Sequence, residues 1–317
     1  MPINSDKPHL WKADIAASVD QFNAWFMRAA PKAYRDTRVT TTQAVLDALQ
    51  LTKGHRAITA DVLKAHPGVL PTLRMSTCPP IAVDRLVGLS GCNKTVVMSM
   101  EKYQRVPPRM AAPTLDQELG RISRIFSQLL DPDLFPWIPA GRAPGKAELE
   151  RAATVVADRL CGALANPIVR NAQEQRQLAL LGDYLDKRGY KRKPHPGGKP
   201  LTDMAAGTYA FRLPVTVGAE RKVTVPIDVA IQPKRPRPGK LPVLIEAKSA
   251  GDYTNTNKRR KEEATKIRQL QATYGEKIGL LLFLCGYFDS GYLGYEAAEG
   301  IDWVWEHRLS DLDQLGL

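Results

Sequence analysis

The sequence predicts an α/β protein, a mixed β-sheet flanked by helices with an α-helical N-terminal region. Three observations carry this. Apolar residues recur at three- and four-residue steps through the first 130 positions, a Pro- and Gly-rich break follows, and the later pattern runs helix, three strands, helix, two strands. The 317 residues have 44% hydrophobic and 25% charged composition, which excludes disorder and collagen-like repetition and leaves ample chain for a core.

In the first part, residues 13–30 place Ile15, Val19, Phe22 and Phe26 on one helical face, and 41–51 and 116–130 continue that periodicity. Residues 131–145 contain Pro132, Pro136, Pro139, Pro144, Gly141 and Gly145, the composition of a linker or a long irregular connection. Helices are expected over 146–164 and 168–188, broken at Asn166–Pro167 and stopped by Gly189. Strands are expected over 209–217, 222–231 and 241–248, an amphipathic helix over 258–274 with Ala264, Ile267, Leu270 and Tyr274 as its stripe, and strands over 278–285 and 301–305. The expected division is a helical region over 1–131, a connection over 132–145 and an α/β core over 146–317.

The longest apolar run, 278–288, is too short to cross a bilayer, and Asp6, Lys7 and Pro8 interrupt any signal-peptide pattern at the start. The expectation is a cytoplasmic protein with no membrane partner. Cys78, Cys92, Cys161 and Cys285 form no C-x-x-C pair, which excludes a zinc ribbon and a disulfide framework. His9, His55, His66, His195 and His307 are scattered and are each read as surface-solvated, so histidine-based chemistry is not expected.

The net charge of +12 is concentrated: residues 187–268 carry 20 Lys or Arg against 7 Asp or Glu, and the remainder of the chain is close to neutral. Such a field attracts polyanions, nucleic acid before anionic membrane. Within that segment, Pro226-Ile227-Asp228 lies on the second strand and Glu246-Ala247-Lys248 on the third. Arg237 is midway between the two carboxylates, so a simple antiparallel hairpin sets Asp228 opposite Glu246. Alternation along a strand puts Glu246 and Lys248 on one face and Ala247 on the other. Two carboxylates that close repel unless a cation joins them, and hard oxygen ligands suit Mg²⁺ acting on a phosphodiester, with Lys248 orienting water or steadying developing charge. Asp and E-x-K at loose spacing are common as solvated strand-edge charges. Their placement on adjacent apolar strands in the basic segment favours a site. Glu174 stands at four, three and four residues from Leu178, Leu181 and Leu185, on the stripe facing the sheet, where a metal, Lys248 or a salt bridge would be its partner.

These residues resemble the PD-(D/E)XK nuclease superfamily, and more closely the XamI-type type II restriction endonucleases. The resemblance rests on Leu10-Trp11-Lys12-Ala13-Asp14, Leu70-Pro71-Thr72-Leu73-Arg74-Met75, Pro226-Ile227-Asp228, the run from Glu246-Ala247-Lys248 through Gly251-Asp252-Tyr253-Thr254-Asn255, and Gly300-Ile301-Asp302-Trp303. It implies a restriction-endonuclease-like core and a homodimer that cuts double-stranded DNA at a palindromic hexanucleotide, suggested to be GTCGAC, with 5′-phosphate and 3′-hydroxyl ends. It also implies Asp228, Glu246 and Lys248 as catalytic residues. The expected Mg²⁺ site is Asp228, Glu246 and the Ala247 backbone carbonyl, with Glu174, from its place on the helical stripe, as a candidate further ligand. The literal Pro-Asp pair is absent, since Ile227 separates Pro226 from Asp228.

After the E-x-K strand, Asn255, Thr256, Asn257, Lys258, Arg259 and Arg260 open a helix and are candidate DNA contacts; Asn suits adenine and Arg suits guanine. An ordinary N-cap and solvated turn is the alternative. Arg235, Arg237 and Lys240 on the hairpin loop, with Lys191, Arg192 and Lys193, are expected to meet phosphates. Residues 85–100 have the outline of a helix-turn-helix with Gly91 in the turn, although a plain helical hairpin in the N-terminal core fits better. The competing functional classes are a non-cleaving DNA-binding regulator and a structure-selective nuclease.

Overall fold

The computed structural model describes residues 2–196, 198–218, 222–236, 239–253, 256–276 and 278–317, without the side chains of 256–260. Contacts divide the chain into two compact units, Met1–Ala29 with Arg170–Leu317, and Ala30–Val169.

The unit Ala30–Val169 is helical. It contains the second half of α1 (Pro8–Leu51), then α2 (Ala60–Ala65), α3 (Leu70–Met75), α4 (Val83–Ser90), α5 (Lys94–Tyr103), α6 (Ala112–Leu129) and the first half of α7 (Lys146–Lys187). Leu63, Leu70, Leu86, Val97, Met100, Ile122 and Phe126 are its fully buried centre. Gly91 turns between α4 and α5 at φ 60°, in the left-handed region that glycine tolerates, and the Asn93 side chain caps α5 by accepting from the Thr95 N–H. With Leu86, Cys92, Val97 and Met100 buried, the pair is a helical hairpin docked in this core. Residues 132–145 hold no helix or strand, yet Phe135 and Trp137 are fully buried and the Trp137 indole donates to the Gly54 carbonyl at 2.8 Å.

Two expectations are corrected here. His55 is buried rather than solvated, wedged between Thr52 Oγ1 at 2.8 Å and Ser76 Oγ at 3.0 Å, and burial lowers its pKa to about 3. The break at Asn166–Pro167 is absent, because α7 runs through Pro167 as α1 runs through Pro31. A proline inside a helix costs about 3 kcal/mol. Each half of α7 offsets that cost by burying its own stripe, Ala152, Val156 and Leu160 in one unit and Leu178, Leu181 and Leu185 in the other. Among the described residues α7 is long and apolar enough to cross a membrane by length and composition, but those stripes line protein cores.

The second unit is a six-stranded mixed sheet in sequential order: β1 (Lys191–Arg192), β2 (Thr208–Val217), β3 (Val223–Gln232), β4 (Val243–Ala250), β5 (Leu280–Gly286) and β6 (Asp302–Trp305). The strands β2, β3 and β4 are antiparallel neighbours. Strands β4, β5 and β6 are parallel, joined by α8 (Thr256–Tyr274) and α9 (Ser290–Ala298). Ile267, Leu270, Tyr292 and Leu293 of α8 and α9 cover one face, and the α7 leucines cover the other. Burial on both faces explains why β5 is apolar throughout.

One irregularity matters for the site. The β2–β3 ladder pairs Phe211 with Val229 and Leu213 with Ile227 but skips Arg212 and Asp228. Phe211 and Val229 lie on the α7 side, whereas Leu213 and Ile227 lie on the α8 side, so both strands reverse their alternation at this step. Arg212 supplies the turn at φ 52°, an unfavourable value for a side chain with a Cβ.

Residues 2–29 close the sheet's last edge. The Asp302 carboxylate accepts from the Ile3 N–H and from the Asn4 and Ser5 N–H groups, the latter two at 3.0 Å, and Trp11 packs edge-on to Trp303 at 5.5 Å. Asp302→Ala removes the acceptor of the Ile3, Asn4, Ser5 and Trp303 N–H groups and should cost about 2–4 kcal/mol. Urea unfolding of the purified variant checks this; a loss below about 0.5 kcal/mol would show the N-terminus to be held by its side chains alone.

Candidate active site

The β3–β4 ladder ends with Val229 opposite Ile245, and one residue further the same register sets Asp228 against Glu246. The hairpin geometry expected from the sequence is therefore the one adopted. Asp228 Oδ2 accepts from the Ala247 N–H at 2.9 Å, and Lys248 Nζ reaches Glu246 Oε1 at 3.2 Å. Glu246 and Lys248 share the α8 side of the sheet, while Ala247 joins the α7-side core. Gln177 of α7 donates to the Lys248 and Phe283 carbonyls at 3.4 and 3.3 Å and steadies the end of β4.

Helix α8 adds two residues that the sequence reading missed. Lys266 Nζ lies 2.8 Å from Glu246 Oε1 and 3.0 Å from the Pro226 carbonyl. Glu263 Oε1 lies 3.7 Å from Lys248 Nζ, and Glu263 Oε2 accepts from the Tyr292 hydroxyl at 2.6 Å. Their signal was present: Glu263 and Lys266 precede Leu270 by seven and four positions, so both are charged residues on an apolar stripe.

The electrostatics follow from burial. Asp228 is pushed up to about 6, first by burial and then by the Glu246 charge, with the Ala247 N–H and Lys248 opposing. Burial works against the Lys248 charge, but Glu246 and Glu263 outweigh it and hold the ammonium above its usual pKa. Glu246 Oε2 is buried with no hydrogen-bond partner among the described residues. Such an atom is costly unless a cation completes it.

Glu174 meets Arg212 at 2.9 Å rather than Lys248, with about two-fifths of its side chain exposed, although its charge still raises Asp228. Arg235, Lys240 and Lys191–Arg192 with Lys193 are exposed on or beside the hairpin. Arg237 and Asn255 lie outside the described residues, as do the side chains of Thr256, Asn257, Lys258, Arg259 and Arg260, whose backbone forms the first turns of α8.

A mixed sheet flanked by helices, with an Asp, a Glu and a Lys gathered at the end of one hairpin, is the architecture of an α/β nuclease. A family model described as XamI restriction endonuclease matches residues 53–305, and the chain belongs to that family. It is also 59% identical over 314 residues, 99% of both chains, to the protein named Type II restriction enzyme SalI from Streptomyces albus G. A crystal structure of protein VC1899 from Vibrio cholerae superposes at TM-score 0.28 with 13% identity, over 86% of this chain and little more than half (55%) of that one, too distant to support any argument. Restriction endonucleases are site-specific deoxyribonucleases that act on double-stranded DNA and generally use divalent metal ions.

The residues present fit such an ion. Two facing carboxylates, one with an unpartnered buried oxygen, supply hard oxygen donors. Because Asp228 has a folded-state pKa above its ordinary 3.8, the folded protein holds that proton more tightly. The contribution of Asp228 to metal-free stability is thus fully present below about pH 4 and is lost as pH rises through about 6. Asp228→Asn should raise the metal-free melting temperature by several degrees at pH 7, worth about 2–3 kcal/mol, and by little at pH 4. Thermal melts in chelator at both pH values check this; equal gains at both would place the effect elsewhere.

Proposed function

We propose that this protein is a type II restriction endonuclease that hydrolyses phosphodiester bonds of double-stranded DNA with Mg²⁺, within GTCGAC, leaving 5′-phosphate and 3′-hydroxyl ends. The observation that carries the reading is the meeting of Asp228, Glu246 and Lys248 at the end of the β3–β4 ladder. The hexanucleotide rests on the sequence resemblance described above.

Asp228, Glu246 and the Ala247 carbonyl are the residues that would hold Mg²⁺. When bound, the ion neutralises a non-bridging phosphate oxygen and makes a coordinated water more acidic. Lys248, kept charged by Glu246 and Glu263, orients the attacking water and steadies the charge that grows on the phosphate. The Ala247 N–H and the β3–β4 register fix the Asp228 carboxylate, so the donor atoms are arranged before substrate arrives. Glu174 contributes electrostatically, through Asp228, while Arg212 holds it in place.

A palindromic target calls for a twofold-symmetric reader, so the working form is a homodimer. The nuclease core expected over 146–317 draws also on residues 2–29, which bind its last strand. Arg235, Arg237, Lys240 and the 191–193 cluster would contact phosphates, and Asn255, Thr256, Asn257, Lys258, Arg259 and Arg260 would approach the bases from the start of α8. The substrate sets the compartment as cytoplasmic.

The test is plasmid cleavage in Mg²⁺ by Asp228→Ala, Glu246→Ala and Lys248→Ala, with the parent's product ends sequenced. Each variant should lose about 10²-fold or more in rate and keep its affinity for a GTCGAC duplex in Ca²⁺. Parent ends mapping to another sequence would change the target assignment. A parent that shifts plasmid DNA but leaves it intact would instead be a binding regulator.

A further inference from the structure

A second lysine reaches Glu246, one carboxylate of the pair, and the Asp…Glu-x-Lys pattern does not call for it. Lys266 Nζ is nearer to Glu246 Oε1, at 2.8 Å, than Lys248 Nζ is, at 3.2 Å. Its side chain is 17% exposed, so its charge has little water and depends on Glu246. Its other partner, the Pro226 carbonyl at 3.0 Å, is neutral.

The two lysines differ in what remains if Glu246 turns to another cation. Lys248 keeps Glu263, a buried carboxylate fixed by the Tyr292 hydroxyl. Lys266 has no second carboxylate partner among the described residues. Resting on the metal-dependent nuclease reading, we propose that Lys266 is the resident counter-ion of the Asp228–Glu246 pair, and that a divalent ion binds in competition with its ammonium group. Lys266 therefore stabilises the metal-free fold and lowers metal affinity, while Lys248 stays in place for the reaction.

Charge is the property to be separated from shape. Lys266→Gln keeps a donor for Glu246 and the Pro226 carbonyl without the charge, and Lys266→Arg keeps the charge. Calorimetric titration with Mn²⁺ in the absence of DNA, with melting curves in chelator, gives a readout independent of cleavage. Lys266→Gln should bind Mn²⁺ about tenfold more tightly than the parent and melt lower in chelator, with Mn²⁺ restoring the parent's melting temperature. Lys266→Arg should match the parent within about threefold. If Lys266→Gln folds only in Mn²⁺, its unfolding on chelation supports the counter-ion role. Unchanged or weaker Mn²⁺ binding by Lys266→Gln overturns it. A parent whose Mn²⁺ binding survives Glu246→Gln, or that binds none, overturns the metal-site reading and this inference together; a parent that binds through Glu246, with Lys266→Gln no tighter, overturns the counter-ion role alone.

Discussion

Asp228 and Glu246 face each other one residue beyond the last β3–β4 pair, and a half-buried carboxylate set against a buried one needs positive charge. Much of the surrounding structure answers this requirement. The register that brings them together is anchored by Val229, Ile231 and Ile245 in the α7-side core, so a slip by one residue would turn the apolar set outward. The return of the chain through α8 adds Lys266 and Glu263 to the group. The reversal of alternation at Arg212 and Asp228 breaks the neighbouring ladder where Asp228 leaves it, and Arg212 holds an unfavourable positive φ at that step.

The segments that carry the family resemblance divide into chemistry and architecture. Pro226-Ile227-Asp228 and Glu246-Ala247-Lys248 carry the proposed site. Trp11 and Asp14, with Asp302 and Trp303, fasten the first residues of the chain to β6, and Arg308 bonds Asp14 at 2.7 Å. The Leu70–Met75 segment is α3, whose Arg74 makes a largely buried pair with Glu101 and also donates to the Ile81 carbonyl. Three of the five segments that carry the resemblance are therefore structural, and their loss would act on stability before chemistry.

The hairpin was legible because period-two strands on either side of a loop centred at Arg237 allow few registers, and the symmetric one joins the carboxylates. Long-range burial was not legible. The break expected at Pro167 followed the local rule, but tertiary packing of both helix halves outweighs one proline. Helix α9 escaped notice because Gly291 and Gly294 dilute its helical periodicity, and His55 because only the fold supplies Thr52 and Ser76 as partners. Lys266 and Glu263 were missed because the α8 stripe was read for its apolar members alone, although a charge on such a stripe implies a partner. The same logic found Glu174, whose partner proved to be Arg212.

The central claim is that a divalent cation binds between Asp228 and Glu246 when DNA is engaged. Anomalous scattering from crystals of the protein with a GTCGAC duplex and Mn²⁺ measures this directly. The account predicts a Mn²⁺ peak in contact with both carboxylates and with the scissile phosphate. A DNA complex whose anomalous peaks all lie away from Asp228 and Glu246 would contradict it.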